Sequence, residues 1–299
     1  MQRLIIVYNP RSAKAELVER EVITPARKLV SFMVGKYEVK PTNVSDNAVK
    51  LGRLLRDGDL VVAAGGDGTA TIGLNGCMLS KKDVAFGVLG YGNFNDMARM
   101  LGTKSLQEVI DGKFEKIWPL EARVNGKLWR YAACYVTAGM FAESTEIFDK
   151  KKVRGDLKQN KRLIYSIKQL AGWYFKHRRK PFLAEFTING GEVVKDATDY
   201  LAVNGKTVAR VMRGGRHQSD KKTFLRSTAK LRSLHRLSWF MIRSICKRIP
   251  GVETKMDKIE FTKPSPVELQ AEGEYQKFKA IKTIEIKKSE RALKVVVAP

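Results

Sequence analysis

Histidine and cysteine are scarce in this 299-residue sequence, with three residues of each. His177, His217 and His235 offer neither the spacing of a zinc site nor the makings of a catalytic triad. Cys77, Cys134 and Cys246 include no close pair of the kind that marks a metal site or redox motif, so all three read as structural and a reducing compartment is expected. Long apolar runs are missing too. No stretch approaches the roughly 18 apolar residues of a spanning helix, and the apolar run in MQRLIIVYNP is too short for a signal peptide, so the expectation is a chain neither exported by that route nor crossing a membrane. Fixed-period repeats and low-complexity tracts are absent as well. Acidic residues are in deficit: 31 Asp and Glu face 56 Lys and Arg, for a net charge of +25 and an isoelectric point near 10.0. Such an excess attracts polyanions, whether nucleic acid, anionic membrane or phosphorylated small molecules.

With 43% hydrophobic content, the chain can build a packed core. Over the first 110 residues, short apolar runs (LIIVYNP, DLVVAAGG, VAFGVLG) alternate with helical patterns, the first from about Ala15 to Met33. That rhythm predicts a parallel sheet with helical crossovers. After Phe114 the pattern changes. FEKIWPLEARV and KLWRYAACYVTAG flank Asn125-Gly126, and PFLAEFTI and EVVKDATDYLAV flank NGG at 189–191, both strong hairpin signals. The runs KIEFT, PVELQ, TIEIKK and ALKVVV continue as strands. The expected fold is therefore an α/β N-terminal domain with a parallel sheet, followed by a mainly antiparallel β domain.

The stretch DLVVAAGGDGTATIGLNGC, residues 59–77, runs from a buried strand into Gly65-Gly66-Asp67-Gly68-Thr69. Glycines at the carboxyl end of a parallel strand let backbone N–H groups approach an anion, and the following helix adds its positive end, so phosphate is a natural guest. Asp67 would repel bare phosphate, which points to a metal ion or to a hydroxyl that must lose its proton. Neither the Walker spacing nor G-x-G-x-x-G is met. A tight strand-to-helix connection, with Asp67 or Thr69 as helix cap, would suit the same residues. Asn95 and Asp96, just before MARML, could likewise cap a helix.

Four stretches together resemble the diacylglycerol kinase catalytic-domain family, which includes bacterial lipid kinases and sphingosine kinases and is distantly related to NAD kinases. GGDGT is similar to the family's ATP-phosphate loop, and VYNPRSAK to its opening strand and Asn-Pro turn, with Ala13 where glycine is usual. VLGYGNFNDMAR is similar to its Pro-x-Gly-Thr-x-Asn-Asp-x-Ala segment, keeping Gly90, Asn95, Asp96, Ala98 and Arg99. QAEGEY resembles the Asp-Gly-Glu element that brings carboxylates from the second domain to the cleft. Three departures stand out. Tyr91 replaces the expected threonine, two extra residues follow Gly92, and Glu272 stands where aspartate is usual. VNGKTVARVMRGGRHQSDKKTF is a worn version of a glycine-rich family segment that keeps Gly214-Gly215.

The resemblance implies an ATP-binding domain over 1–115, with 290–299 returning to it, and a substrate- and lipid-facing domain over 116–289. It implies an ATP- and Mg2+-dependent kinase that phosphorylates a hydroxyl of a membrane lipid such as diacylglycerol. By the same resemblance Gly65, Gly66, Gly68 and Thr69 hold the ATP phosphates, with Asn9, Gly90, Asn95 and Asp96 around the nucleotide. Asp67 serves the magnesium or phosphate network, Glu272 is the base for the hydroxyl, and Glu274 helps to hold the metal. The alternatives are a kinase for a sphingoid base or nucleotide cofactor, or a non-catalytic relative that binds anionic lipid or nucleic acid. A homodimer is compatible with the sequence, and the expected location is the cytoplasm, at the inner membrane face.

The charge is concentrated. Residues 150–180 hold twelve Lys or Arg against Asp156 alone, and 205–250 hold thirteen against Asp220 alone. In the second segment Leu234, Leu237, Met241 and Ile245 recur at helical spacing, widened by Trp239 and Phe240, among Arg236, Arg243, Lys247 and Arg248. This is the pattern of a basic amphipathic helix that lies on an anionic bilayer, or of an ordinary helix packed on a sheet with a solvated basic face. No RNA-binding module accompanies the charge, so nucleic acid is disfavoured as a partner.

Overall fold

The computed structural model describes residues 2–149, 171–179, 182–191, 193–215 and 217–299. Most of the cationic segment 150–180 lies outside the described residues. The N-terminal rhythm forms a six-stranded sheet in the order Phe32–Glu38, Gln2–Tyr8, Leu60–Gly65, Ala85–Gly90, Leu293–Val297, Lys113–Ile117. All neighbours are parallel except the last pair. Every residue of Leu60–Gly65 is buried, as expected of a central parallel strand covered on both faces.

The first predicted helix is shorter than its pattern. It runs from Ala15 to Ala26 with a π-helical turn at Glu19–Ile23, and Phe32 and Met33 already belong to the next strand. Pro25 accounts for the irregular turn before it, because it has no N–H to continue the helical ladder and its ring crowds the preceding turn, and the chain leaves the helix one residue later. Proline divides FEKIWPLEARV as well. Lys113–Ile117 stays with the first sheet and Leu120–Val124 joins the second, while at the break the Trp118 N–H donates to the Gln218 carbonyl at 2.8 Å.

The second sheet is antiparallel throughout. Its main path runs Val252–Thr254, Phe224–Ala229, Asp199–Val203, Tyr135–Gly139, Met256–Ala271, Glu274–Lys288, Leu120–Val124, Lys127–Ala132. The hairpin turns fall where the Asn-Gly pairs predict them. Asn125 and Gly126 take φ of 49° and 77°, and Asn189 and Gly190 take 53° and 68°, the left-handed values such turns require.

The helix Asp67–Ser80 joins the two sheets. Its sequence is apolar on nearly every side, and ten of its fourteen residues are buried. A Cβ on Gly73 would fall 2.6 Å from the Phe86 ring and one on Gly76 would fall 2.6 Å from Leu51, so glycine lets the neighbours approach this closely. Buried Asn75 ties the helix to the second sheet, donating to the Tyr131 carbonyl at 2.9 Å and accepting the Tyr131 N–H at 2.8 Å. The N-terminus of this helix is thereby fixed against strands of both sheets.

Candidate active site

Two glycine turns lie side by side at the carboxyl ends of the parallel strands. Gly65 accepts the Tyr91 N–H at 2.8 Å, and a Cβ on Gly92 would sit 2.6 Å from the Gly66 Cα. The glycines therefore have a packing role besides any ligand they admit. Gly66 is the N-cap of the Asp67–Ser80 helix and supplies no side-chain cap, so this helix end carries only backbone groups.

Asp67 does not cap its own helix. Its Oδ2 accepts the Asn95 N–H and its Oδ1 the Asp96 N–H, each at 3.0 Å, so it caps the neighbouring helix Asp96–Leu101. Asn95, at φ 54°, caps nothing with its side chain and instead accepts the Gly92 N–H at 2.7 Å. Burial, reinforced by the Asp96 charge, pushes the Asp67 carboxyl up to about 6. Asp96 is itself buried. Its Oδ1 accepts the Thr207 hydroxyl at 2.9 Å and the Arg210 N–H at 2.8 Å, while Oδ2 has no partner. Desolvation raises its carboxyl above the ordinary range.

The loop that meets Asp96 comes from the worn glycine-rich segment. Ala209 and Arg210 both adopt left-handed backbone, with φ of 48° and 69°, which places the Arg210 N–H on the carboxylate. Each such residue costs on the order of 1 kcal/mol or more, and strain of this kind gathers at functional sites.

QAEGEY forms the tip of the long hairpin between Met256–Ala271 and Glu274–Lys288, and the tip reaches the first glycine turn. A Cβ on Gly273 would lie 3.7 Å from the Asp67 Cβ, and one on Gly68 would lie 2.3 Å from Glu274 Oε1. Glu272 occupies the first position of a two-residue turn, at φ 54° with Gly273 at 82°, where asparagine, aspartate or glycine is favoured. Its side chain is 2% exposed. Oε1 accepts the Cys134 N–H at 2.5 Å and Oε2 has no partner. Burial pushes this carboxyl up to about 8, opposed by the Cys134 N–H and helped by the charges of Asp96 and Asp67.

One cation of the site escapes the motif reading. Arg130 is 6% exposed, and its Nε and Nη1 have no partner. Its guanidinium stacks over the Trp129 ring at 5.0 Å, and it feels the charges of Glu274 and Glu272. Desolvation lowers its pKa, so its charge is held at a cost that the two glutamates offset. The available signal was strand phase: in Lys127–Ala132 the buried residues are Arg130 and Ala132, and a basic residue on the buried phase needs a partner.

Of the residues singled out from the sequence, Gly65, Gly66, Asp67, Gly68, Thr69, Gly90, Asn95, Asp96, Glu272 and Glu274 are brought together here. Asn9 follows the neighbouring strand Gln2–Tyr8 and accepts the Arg11 N–H at 2.9 Å, shaping its own turn. Tyr91 points its hydroxyl to Glu21 Oε2 at 3.2 Å.

Comparison with known proteins agrees with this architecture. The family model described as the diacylglycerol kinase catalytic domain matches residues 3–119. The diacylglycerol kinase of Bacillus subtilis (strain 168) is 34% identical over 122 residues, 38% of this chain and 39% of that protein. The diacylglycerol kinase of Staphylococcus aureus (strain JH9) is 30% identical over 122 residues, 39% of this chain and 38% of that protein. The matches thus span about two fifths of the relatives' length. A crystal structure of a diacylglycerol kinase from Bacillus anthracis str. Sterne shares the fold, with a TM-score of 0.69 at 16% identity, over 100% of this chain and 97% of that one. Arg130, Glu272 and Glu274 lie beyond the residues that the family model matches.

Proposed function

We propose that this chain transfers a phosphoryl group from ATP to the hydroxyl of a membrane lipid of the diacylglycerol type. The observation that carries the reading is Glu272. It is a buried carboxylate with one free oxygen, held in left-handed backbone at a hairpin tip whose neighbouring Gly273 and Glu274 meet the glycine turn of another sheet. The match of residues 3–119 to the diacylglycerol kinase catalytic domain supports the reaction class.

Phosphoryl transfer asks for positioning and charge neutralisation more than covalent chemistry. In this reading the backbone of Gly65, Gly66, Gly68 and Thr69 takes the nucleotide phosphates at the helix N-terminus. Asn9, Gly90 and Asn95 border the nucleotide. Glu272 Oε2 receives the proton of the acceptor hydroxyl, whose oxygen bonds to the γ-phosphorus as the bond to the β-phosphate oxygen breaks. A carboxyl near pKa 8 suits a base working close to neutral pH. The Arg130 guanidinium neutralises charge that develops on the transferred group.

Magnesium would neutralise the phosphate charge when bound. No three His, Cys, Asp or Glu side chains among the described residues could hold a metal by themselves. Mg2+ commonly takes one or two carboxylates and completes its shell with water and substrate phosphate. Carboxylate oxygens are donors of the right hardness, and the unpartnered Oδ2 of Asp96 adds one beside Asp67. The residues fit such a site, with Asp67 and Glu274 holding the ion from the two sides of the cleft.

No helix among the described residues is long and apolar enough to cross a membrane. Incubation with labelled ATP, magnesium and vesicles of varied composition tests the reading. A labelled lipid phosphate is expected. The absence of product with every hydroxyl-bearing lipid offered, from protein that binds ATP, would reject the lipid acceptor.

A further inference from the structure

The helix Leu234–Cys246 carries two apolar faces where a surface helix needs one. Leu237, Phe240 and Met241 pack inward against the core, and Ser244 is buried beside them. The face that the sequence marks for a membrane is thus partly the inner one. Outward, a second set remains in solvent: Leu234 is 50% exposed, Trp239 52%, Ile242 63% and Ile245 43%. At about 100° per residue these four, with Ser238, Cys246 and the exposed His235, fill one continuous arc, and Arg243, Arg236 and Lys247 form the stripe beside it. Arg243 stacks over the Trp239 ring at 5.2 Å. Beside Trp239 an open groove of about 970 Å³ is lined by Arg226, Lys230, His235 and Arg236 together with Leu231 and Val252.

We propose that this outer face docks on an anionic lipid leaflet. An apolar arc bounded by cations matches the two layers of a bilayer surface. Trp239 and the aliphatic side chains enter the acyl boundary while the guanidinium and ammonium groups remain level with the phosphates. The charge is complementary. Residues 205–250 hold thirteen basic residues against one acidic, and each cation near an anionic surface contributes about 1 kcal/mol. Among the described residues Arg236, Arg243 and Lys247 form no ion pair, whereas Arg226 is paired with Asp257 at 3.1 Å and Arg248 with Glu253 at 3.7 Å. The first three are therefore the cations available to lipid. A nucleic acid would use the charge but leave Leu234, Ile242 and Ile245 in water.

The test reads binding alone, so its outcome is separate from that of the phosphoryl-transfer reading. The whole protein is sedimented with phosphatidylcholine vesicles, with and without phosphatidylglycerol, across a salt series. Binding is expected only with phosphatidylglycerol and should fall steeply with salt. Trp239→Ser with Ile242→Ser should weaken it about tenfold or more. Arg236→Gln, Arg243→Gln and Lys247→Gln together should flatten the salt dependence. Both variants alter exposed positions, and unchanged circular dichroism certifies the fold. Lipids brominated in mid-chain should quench tryptophan fluorescence in the parent protein, with that quenching reduced in Trp239→Phe. Equal binding to neutral vesicles, or variants that bind like the parent, would overturn the proposal. So would a Trp239/Ile242 variant that dissociates a dimer while vesicle binding persists, which would assign the face to a second copy of the chain.

Discussion

The backbone N–H of Asp96 donates to Asp67 Oδ1 at 3.0 Å, so the carboxylate of one glycine turn is the cap of the helix that follows the other. Strand ends that are neighbours in the sheet are locked together at the atoms to which the proposed function assigns the nucleotide. Asp67→Asn leaves one oxygen but sets an amide nitrogen against an N–H donor. Loss of a helix cap costs about 1 kcal/mol, and an unmet buried donor adds to it. We expect a lower melting temperature together with at least a hundredfold loss of turnover, measured by calorimetry and product formation. A variant with parental stability and turnover would remove Asp67 from both roles.

Glu272 must lose its proton to act as a base. With its carboxyl pushed up to about 8 by burial, the active form gains population as pH rises through that value. The rate at low substrate should therefore climb between about pH 7 and 9. Glu272→Gln keeps the oxygen that receives the Cys134 N–H but has no free carboxylate oxygen. It should lower turnover at least a hundredfold, on the scale of acid-base catalysis, and abolish the pH limb. A Gln variant with the parental profile would place the base elsewhere.

Stability should run the other way with pH. Asp199 is fully buried, its Oδ1 accepting the Phe141 N–H at 2.7 Å and its Oδ2 unpartnered, and burial pushes its carboxyl up to about 7. Asp67 and Glu272 are raised as well, to about 6 and about 8. Between about pH 4 and these values the folded chain binds more protons than the unfolded chain. Stability is then full in acid and is lost as pH rises through the folded values, by up to about 1.4 kcal/mol per pH unit for each group. Denaturant midpoints recorded from pH 5 to 8 should fall, and Asp199→Asn should remove part of the slope. A slope unchanged in that variant would show that Asp199 does not titrate in this window.

Much of this site is legible in the sequence because glycine turns and strand periodicity are local properties. Gly65 to Thr69 announce a strand-to-helix turn, and alternation after Phe114 announces the second sheet. What Asp67 binds is not local. Its partners lie 28 and 29 residues away, and the competing reading, in which it caps its own helix, fits the same letters. The two faces of the helix Leu234–Cys246 were likewise inseparable by periodicity, since a pattern with apolar residues on most sides does not say which side meets a sheet. The Ala15–Met33 pattern overran its helix because Pro25 and the following strand share its apolar letters.

Arg130 shows what strand phase alone could not decide, namely whether a buried cation serves the fold or the chemistry. If it only balances Glu272 and Glu274, replacing it should destabilise the fold and leave any rate in proportion to folded protein. If it faces the transferred phosphoryl group, Arg130→Met should cost about a hundredfold to a thousandfold in turnover of folded enzyme, the scale seen when one electrostatic stabiliser is removed. Arg130→Lys keeps the charge but not the planar fork of donors, and should recover part of the rate without restoring it. A further sign separates the two roles. The Arg130 charge favours the ionised form of Glu272, so the methionine variant should move the pH limb upward from about 8, whereas lysine should return it toward its starting value. Kinetics across pH on both variants, normalised to folded protein by calorimetry, decide the matter, and a limb that stays in place with turnover unchanged would leave Arg130 as a packing residue.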